Sequence, residues 1–136
     1  MTTERPATVT PGAHATPAGG QWAYKEELAP FHPVPGMDVR ATAGSQVMSC
    51  WIDIAPNTEL PEHEHPHEQI GVVVEGAIHL TMDGETRRVG PGGAYIVPGG
   101  MRHTARTGDE GVRIVESFAP VRENFLEMAH KAEAGK

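Results

Sequence analysis

The chain has few of the features that mark several common classes of protein. It contains one cysteine among 136 residues, so no internal disulfide can form and a reducing compartment is expected. Lysine and arginine number 11 against 18 aspartate and glutamate residues, which gives a formal net charge of −7. Because nucleic-acid binding needs clustered basic side chains, this balance argues against a nucleic-acid partner. No apolar run approaches the roughly 20 residues of a membrane-spanning helix, and no signal-peptide core follows Met1, so no membrane partner and a cytoplasmic location are expected.

Short apolar runs alternate with turn signals through the middle of the chain. A length of 136 residues suits one domain, and many short strands at this spacing are typical of an antiparallel sandwich or barrel. The dipeptide Asp83-Gly84 predicts a tight hairpin. The predicted strands are 37–43, 46–54, 69–75, 77–82, 86–89, 94–97, 103–106 and 112–118.

The two ends of the chain differ from this middle part. Residues 1–20, which include His14, have almost no large apolar side chains and are predicted to form a flexible tail. Residues 21–35 hold some apolar material between prolines, which predicts an arm lying against the domain or across a partner subunit. Exposed sheet edges also favour a partner, so a homodimer is expected. Residues 121–136 show apolar side chains at helical spacing and are predicted to form a C-terminal helix and tail.

Three of the eight histidines lie within five residues of one another. His63 and His65 are two apart, so in an extended strand both rings point to the same side. Gln69 keeps this parity and can add an amide oxygen. His103 follows a tight Pro-Gly-Gly turn and would come from a later strand brought alongside. An isolated His-x-His pair also occurs in solvated loops, but three imidazoles and an amide together make a donor set for a metal ion.

The spacing of these residues resembles the two sequence motifs of the cupin superfamily. The positions that carry the resemblance are His63, His65, Gln69 and Gly76 in the first motif, and Gly92, Pro98, Gly100 and His103 in the second. The resemblance covers roughly residues 35 to 118 and implies an all-β double-stranded β-helix, the jelly-roll barrel, over residues 36–120. It also implies the metal ligands, which are His63, His65, Gln69 and His103. Most cupins have Glu where this chain has Gln69.

Two cupin groups that share this glutamine look similar: the pectin-degradation proteins that open an unsaturated uronate ring, and the isomerase of bacilysin biosynthesis. The resemblance therefore implies a metal-dependent enzyme that isomerises or ring-opens a small anionic substrate, either an unsaturated or a keto acid, including sugar-derived acids. Neutral ligands would leave one divalent ion nearly its whole charge, which attracts an anion. The donor set does not identify the metal, which can be Zn, Fe, Ni, Mn, Co or Cu. An Fe(II)-dependent dioxygenase and a non-enzymatic small-molecule-binding cupin are the alternatives.

Four further polar side chains are candidates for acid–base or substrate-binding work. His67 shares the parity of the neighbouring histidines and can face the ion as a spare ligand or as an acid/base group, or else lie at the rim. His79 contacts substrate if the polar face of its strand lines the barrel, and solvent otherwise. Arg102 and Arg106 flank His103, and each can bind a substrate carboxylate in bidentate fashion or lie on the surface near the turn.

Overall fold

The computed structural model describes residues 20–136. Residues 1–19, which include His14 and nearly all of the predicted tail, lie outside the described residues. The described chain is built from antiparallel strands, with one α-helix at its C-terminal end and a single 3-10 turn at Lys25–Glu27. The elements are β1 (Met37–Ala43), β2 (Met48–Ile54), β3 (Glu59–His63), β4 (Glu68–Met82), β5 (Glu85–Val89), β6 (Ala94–Val97), β7 (His103–Ala119) and α1 (Glu123–Ala134).

The two longest strands, β4 and β7, pair with each other and divide the barrel into two halves. In the first half, residues 68–76 of β4 lie against 112–119 of β7, with β6 on one side and β2 and β1 on the other. In the second half, residues 78–82 lie against 103–107, flanked by β5 and β3. Each long strand therefore passes from one half to the other, which is how the chain closes into the predicted jelly-roll barrel.

Two glycines allow β4 and β7 to change direction at the same level. Gly76 and Gly111 have φ values of 76° and 66°, a conformation that L side chains rarely adopt. A Cβ atom on Gly76 would lie 2.2 Å from the carbonyl O of Gly111. The register of the two strands shifts on both sides of Gly76. Close backbone contact thus produces the bend that separates the two halves.

The strand predictions differ from the structure at these bends and at one missed strand. Predicted strands 69–75 and 77–82 are parts of β4, because Gly76 bends the strand without ending it. Likewise, 103–106 and 112–118 both belong to β7. Strand β3 was not predicted because its proline and glutamates have low strand propensity. The Asp83-Gly84 hairpin is confirmed, with φ values of 52° and 74°, as a type I′ turn requires.

The core lies between the inner faces of the two halves. Helix α1 covers one end, where its residue Phe125 packs edge-on against Phe118 and Phe31 at centroid separations of 5.6 and 5.4 Å. The predicted C-terminal helix is therefore present, and its residues Phe125, Leu126 and Ala129 are buried. No helix within residues 20–136 is both long and apolar enough to span a membrane. The largest fully buried side chains are Phe118, Met48, Ile52, Ile114, Val39, Val73, Val97 and Cys50.

Candidate metal centre

Three histidines meet where the loop between β3 and β4 lies against the segment before β7. His63 ends β3 and pairs directly with His103, the first residue of β7. His65 lies in the loop before β4, and its carbonyl O accepts a 2.8 Å hydrogen bond from the backbone N–H of Gly100, in the turn that leads to His103. Ring nitrogens of the three histidines lie within 4.8 Å of one another. The group is large enough, and its atoms close enough together, to hold one ion.

Backbone carbonyls fix the orientation of all three rings. In each ring Nδ1 lies at hydrogen-bond distance from a carbonyl oxygen two residues away. Because a carbonyl only accepts, Nδ1 carries the proton and Nε2 keeps its lone pair. The buried Nε2 of His103 has no hydrogen-bond partner among residues 20–136, and leaving a buried polar atom unpaired costs free energy unless a ligand binds there. The three contacts are His63 to Pro61 O at 2.9 Å, His65 to His67 O at 3.0 Å and His103 to Met101 O at 2.9 Å.

The surroundings of these rings also favour their neutral form. Burial, followed by the nearby Arg122 and His103, lowers the pKa of His65 from 6.5 to about 4. Burial likewise lowers the pKa of His103, with His63 and Arg122 acting in the same direction. Neutral imidazole is the form that binds a metal, so at neutral pH these two side chains need lose no proton to do so.

Gln69 joins the group from β4 and faces two partners. Its Oε1 lies 3.0 Å from Nε2 of His65, and its Nε2 donates to Oε2 of Glu116 at 2.6 Å. Because the carboxylate accepts, the amide oxygen must be the atom that faces His65. Because Nδ1 of His65 donates to a carbonyl, its Nε2 carries a lone pair. The contact between this Nε2 and Oε1 of Gln69 therefore brings two acceptor atoms together. Neither neutral tautomer of His65 satisfies both of its contacts, whereas Nε2 of His65 and Oε1 of Gln69 could both bind a cation.

Glu116 is a buried carboxylate that the sequence analysis missed. It occupies an inward position of β7 between Ile114 and Phe118, both of which are buried. Its Oε2 accepts hydrogen bonds from Gln69 and from the phenol of Tyr95. Burial raises the pKa of Glu116, and these two hydrogen bonds oppose that shift. The signal for it was available, because a glutamate that alternates with apolar residues along a strand points into the core.

A cavity of about 280 Å³ opens beside this group, between the two halves and α1. His63, Gln69 and His103 line it together with Tyr95 and Glu116, so a molecule bound in the cavity would reach the predicted ligands. The rest of the wall is largely apolar. Its apolar residues include Val34, Met37, Ile52, Leu60, Ile78 and Leu80.

One arginine of the described residues lines the cavity, and it is neither of the two arginines predicted for this role. Arg122 precedes α1, and its guanidinium lies 3.9 Å from the ring centroid of Phe125 and 5.2 Å from that of Phe118. Arg102 is exposed and pairs with Glu62 and Glu64, and Arg106 is also exposed. Neither Arg102 nor Arg106 is among the residues that line the cavity.

The two candidate acid/base histidines also lie outside the cavity wall. His67 is buried, with Nε2 3.5 Å from Oε2 of Glu123, and its Nδ1 has no hydrogen-bond partner in the described part of the chain. Its carbonyl O accepts the hydrogen bond from His65, so its backbone orients a predicted ligand. His79 is partly exposed and alternates with the buried Ile78 and Leu80. The polar face of that part of β4 therefore points away from the cavity.

The fold is an antiparallel barrel, and three histidines and an amide lie beside its cavity. This combination is typical of cupins. The family model described as the cupin domain matches residues 50–118, a segment that contains all four predicted ligands. The chain belongs to the cupin family, and the resemblance found in the sequence is confirmed.

Among curated proteins, the chain is similar to the polyketide synthase CurC of Streptomyces cyaneus, with 34% identity over 85 residues that cover 61% of this chain and 53% of that protein. It is also similar to the pectin degradation protein KdgF of Dickeya dadantii, with 32% identity over 65 residues, or 47% and 59% of the two chains. The chain thus spans little more than half the length of these relatives. The solved structure of KdgF from Halomonas sp. superposes with a TM-score of 0.73 at 27% identity, covering 79% of this chain and 99% of the other.

Proposed function

We propose that the chain is a metal-dependent enzyme that isomerises or ring-opens a small anionic substrate, an unsaturated or keto acid that can be sugar-derived. The observation that best supports metal binding is the 3.0 Å contact between two acceptor atoms, Nε2 of His65 and Oε1 of Gln69. The similarity to two KdgF proteins, one of which is named for pectin degradation, supports the substrate class.

In this proposal His63, His65, His103 and Gln69 hold one divalent transition-metal ion through three imidazole nitrogens and an amide oxygen. Zn, Fe, Ni, Mn, Co and Cu are all compatible with that donor set. When bound, such an ion would polarise an oxygen of the substrate and stabilise the negative charge that develops during a bond shift.

Arg122 binds the carboxylate of the substrate. Within residues 20–136 it is the only Lys or Arg that lines the cavity, and no ion pair in that part of the chain occupies its guanidinium. The rings of Phe118 and Phe125 hold that group in place. An arginine fixed in this way can form two parallel hydrogen bonds with a carboxylate, so we assign to Arg122 the role predicted for Arg102 or Arg106.

The remaining wall controls water and orientation. Ile52, Leu60, Ile78 and Leu80 present hydrocarbon to the cavity, which excludes water from the reacting carbon atoms and strengthens the polar contacts made there. Glu116 and Tyr95 form the polar end of the same wall and keep the Gln69 amide in place. The substrate is thereby held beside the histidine group, with its carboxylate on Arg122.

The test combines elemental analysis with a substrate panel. Purified protein is expected to contain one divalent ion per chain and to convert members of a panel of unsaturated uronates and keto acids under nitrogen. Turnover that stops under nitrogen and returns with oxygen would replace the isomerase with an Fe(II)-dependent dioxygenase. Tight binding of these acids with no turnover in either atmosphere would instead identify a non-enzymatic binding protein.

A further inference from the structure

Three neighbouring strands place one residue each around the amide of Gln69. On β4, Gly71 pairs with Tyr95 of β6 on one side and with Glu116 of β7 on the other. Because Gly71 has no side chain, Tyr95 and Glu116 meet across it, and the phenol donates to the carboxylate. Gln69, two residues before Gly71 and on the same face, donates to the same oxygen atom.

We propose that Gln69 and Glu116 act as one unit, in which Glu116 is a positioning residue that turns the Gln69 amide oxygen towards the three histidines. The inference rests on the proposed metal site. An amide can present either its oxygen or its NH2 group to a neighbour, and only the oxygen can bind a cation. A carboxylate 2.6 Å behind the nitrogen removes that ambiguity, because it accepts the N–H and would repel the oxygen.

The same pair explains how a neutral residue can stand where most cupins have Glu. The ligand set formed by His63, His65, His103 and Gln69 has no anionic side chain, but the carboxylate of Glu116 lies one hydrogen bond behind it. The anionic group thus lies at an inward position of β7 and not at the ligand position of β4. The pair should therefore accept exchange of its two members, with carboxylate and amide changing places and the hydrogen bond between them kept.

The exchange is tested with Gln69→Glu, Glu116→Gln and the double variant, each free of metal at neutral pH. Gln69→Glu alone puts two carboxylates at hydrogen-bond distance with no N–H between them, and its melting temperature is expected to fall by about 5 °C or more. Glu116→Gln alone keeps an oxygen that can accept both donors and should change the melting temperature little. In the double variant the amide of residue 116 donates to the carboxylate of residue 69, so its melting temperature should return to within about 2 °C of the wild type. A loss in the double variant equal to the sum of the single losses would overturn the pairing.

Metal affinity provides the second measurement, with Co(II) as the probe in competition with a chromophoric chelator. Glu116→Leu frees the amide to rotate and should weaken Co(II) binding by about tenfold to a hundredfold. The double exchange variant should bind Co(II) at least as tightly as the wild type. Glu68→Gln, which removes an exposed carboxylate from the start of β4, is the control and should leave affinity unchanged.

These outcomes separate the two proposals. Wild-type affinity in Glu116→Leu would show that Glu116 does not orient the amide, even if the site binds metal. Absence of Co(II) binding in the wild type would instead remove the proposed metal site and with it the positioning role. The melting temperatures of the metal-free variants would then still show whether Gln69 and Glu116 are coupled.

Discussion

The ring of Tyr95 lies directly over Gly71, so closely that a Cβ atom on the glycine would be 2.2 Å from Cζ of the tyrosine. Gly71→Ala should therefore displace Tyr95 and weaken its hydrogen bond to Glu116. We expect a loss of about 1–3 kcal/mol in the free energy of unfolding, measured by chemical denaturation. Gly108→Ala is the matched control, because nothing lies within 4 Å of the Cβ position there. Equal losses in the two variants would show that the contact with Tyr95 has no specific effect.

Metal binding should depend on the clustered histidines and on no exposed one. The double variant His63→Ala, His65→Ala removes two of the three imidazoles that lie within reach of one another, and elemental analysis is expected to find no bound ion. His130→Ala changes an exposed histidine of α1 and should keep full occupancy. Full occupancy in the double variant would place the ion elsewhere in the chain.

The stability of the metal-free protein should fall in mild acid because of His65. Its pKa in the folded protein, about 4, is below its ordinary value of 6.5, so the folded state disfavours the charged ring. The stabilising contribution is complete above pH 6.5 and is lost as the pH falls towards 4. The downward shift of the His103 pKa acts in the same direction. Between these pH values the wild type should lose roughly 2 kcal/mol more than His65→Gln, as measured by denaturation at each pH. Parallel curves for the two proteins would contradict the assignment.

Binding of an anionic substrate should require Arg122 and not Arg102. Arg122→Met keeps much of the hydrocarbon packing on Phe125 but removes the cation from the cavity. We expect kcat/KM for an acid substrate to fall by about tenfold to a hundredfold, mostly through KM, because a hydrogen-bonded charge is lost. Arg102→Met removes an exposed arginine paired with surface glutamates and should have little effect. The reverse order of effects would return the role to Arg102.

We expect two copies of the chain to associate as a homodimer through the outer face of the first half of the barrel. Ile70 and Ile96 are direct neighbours on β4 and β6 and are 42% and 52% exposed, and Val72 and Val74 on the same face are 44% and 53% exposed. Residues 1–19 hold almost no large apolar side chains, so a second copy is the better partner for this face. Ile70→Lys with Ile96→Lys should give monomers in sedimentation velocity. Arg106→Glu, a charge change in the other half of the barrel, should leave the association state unchanged.

The amino-acid sequence by itself determined the local structure. Alternating apolar residues and turn signals specify most of the strands, and the Asp83-Gly84 turn specifies one hairpin, because these features depend on residues that are close in the chain. The helical spacing after residue 121 specifies α1 for the same reason. The spacing of His63, His65 and Gln69 finds these residues without a structure, but the expectation of one extended strand was wrong, because a loop between β3 and β4 separates them and carries His65.

Only the tertiary structure decided which distant side chains meet these three residues. Gln69 and Glu116 are 47 positions apart, and their contact depends on the register of β4 against β7, which no local pattern specifies. The packing of α1 on the barrel likewise brings Arg122 to the cavity and leaves Arg102 outside it. Proximity in sequence to His103 favoured Arg102 and Arg106, but Arg102 lies in the segment before β7 and Arg106 at an outward position of β7, so both are exposed. Strand pairing and helix packing thus bring Glu116 and Arg122 to the site. Both act between residues that are far apart in the sequence, so local spacing does not reveal them.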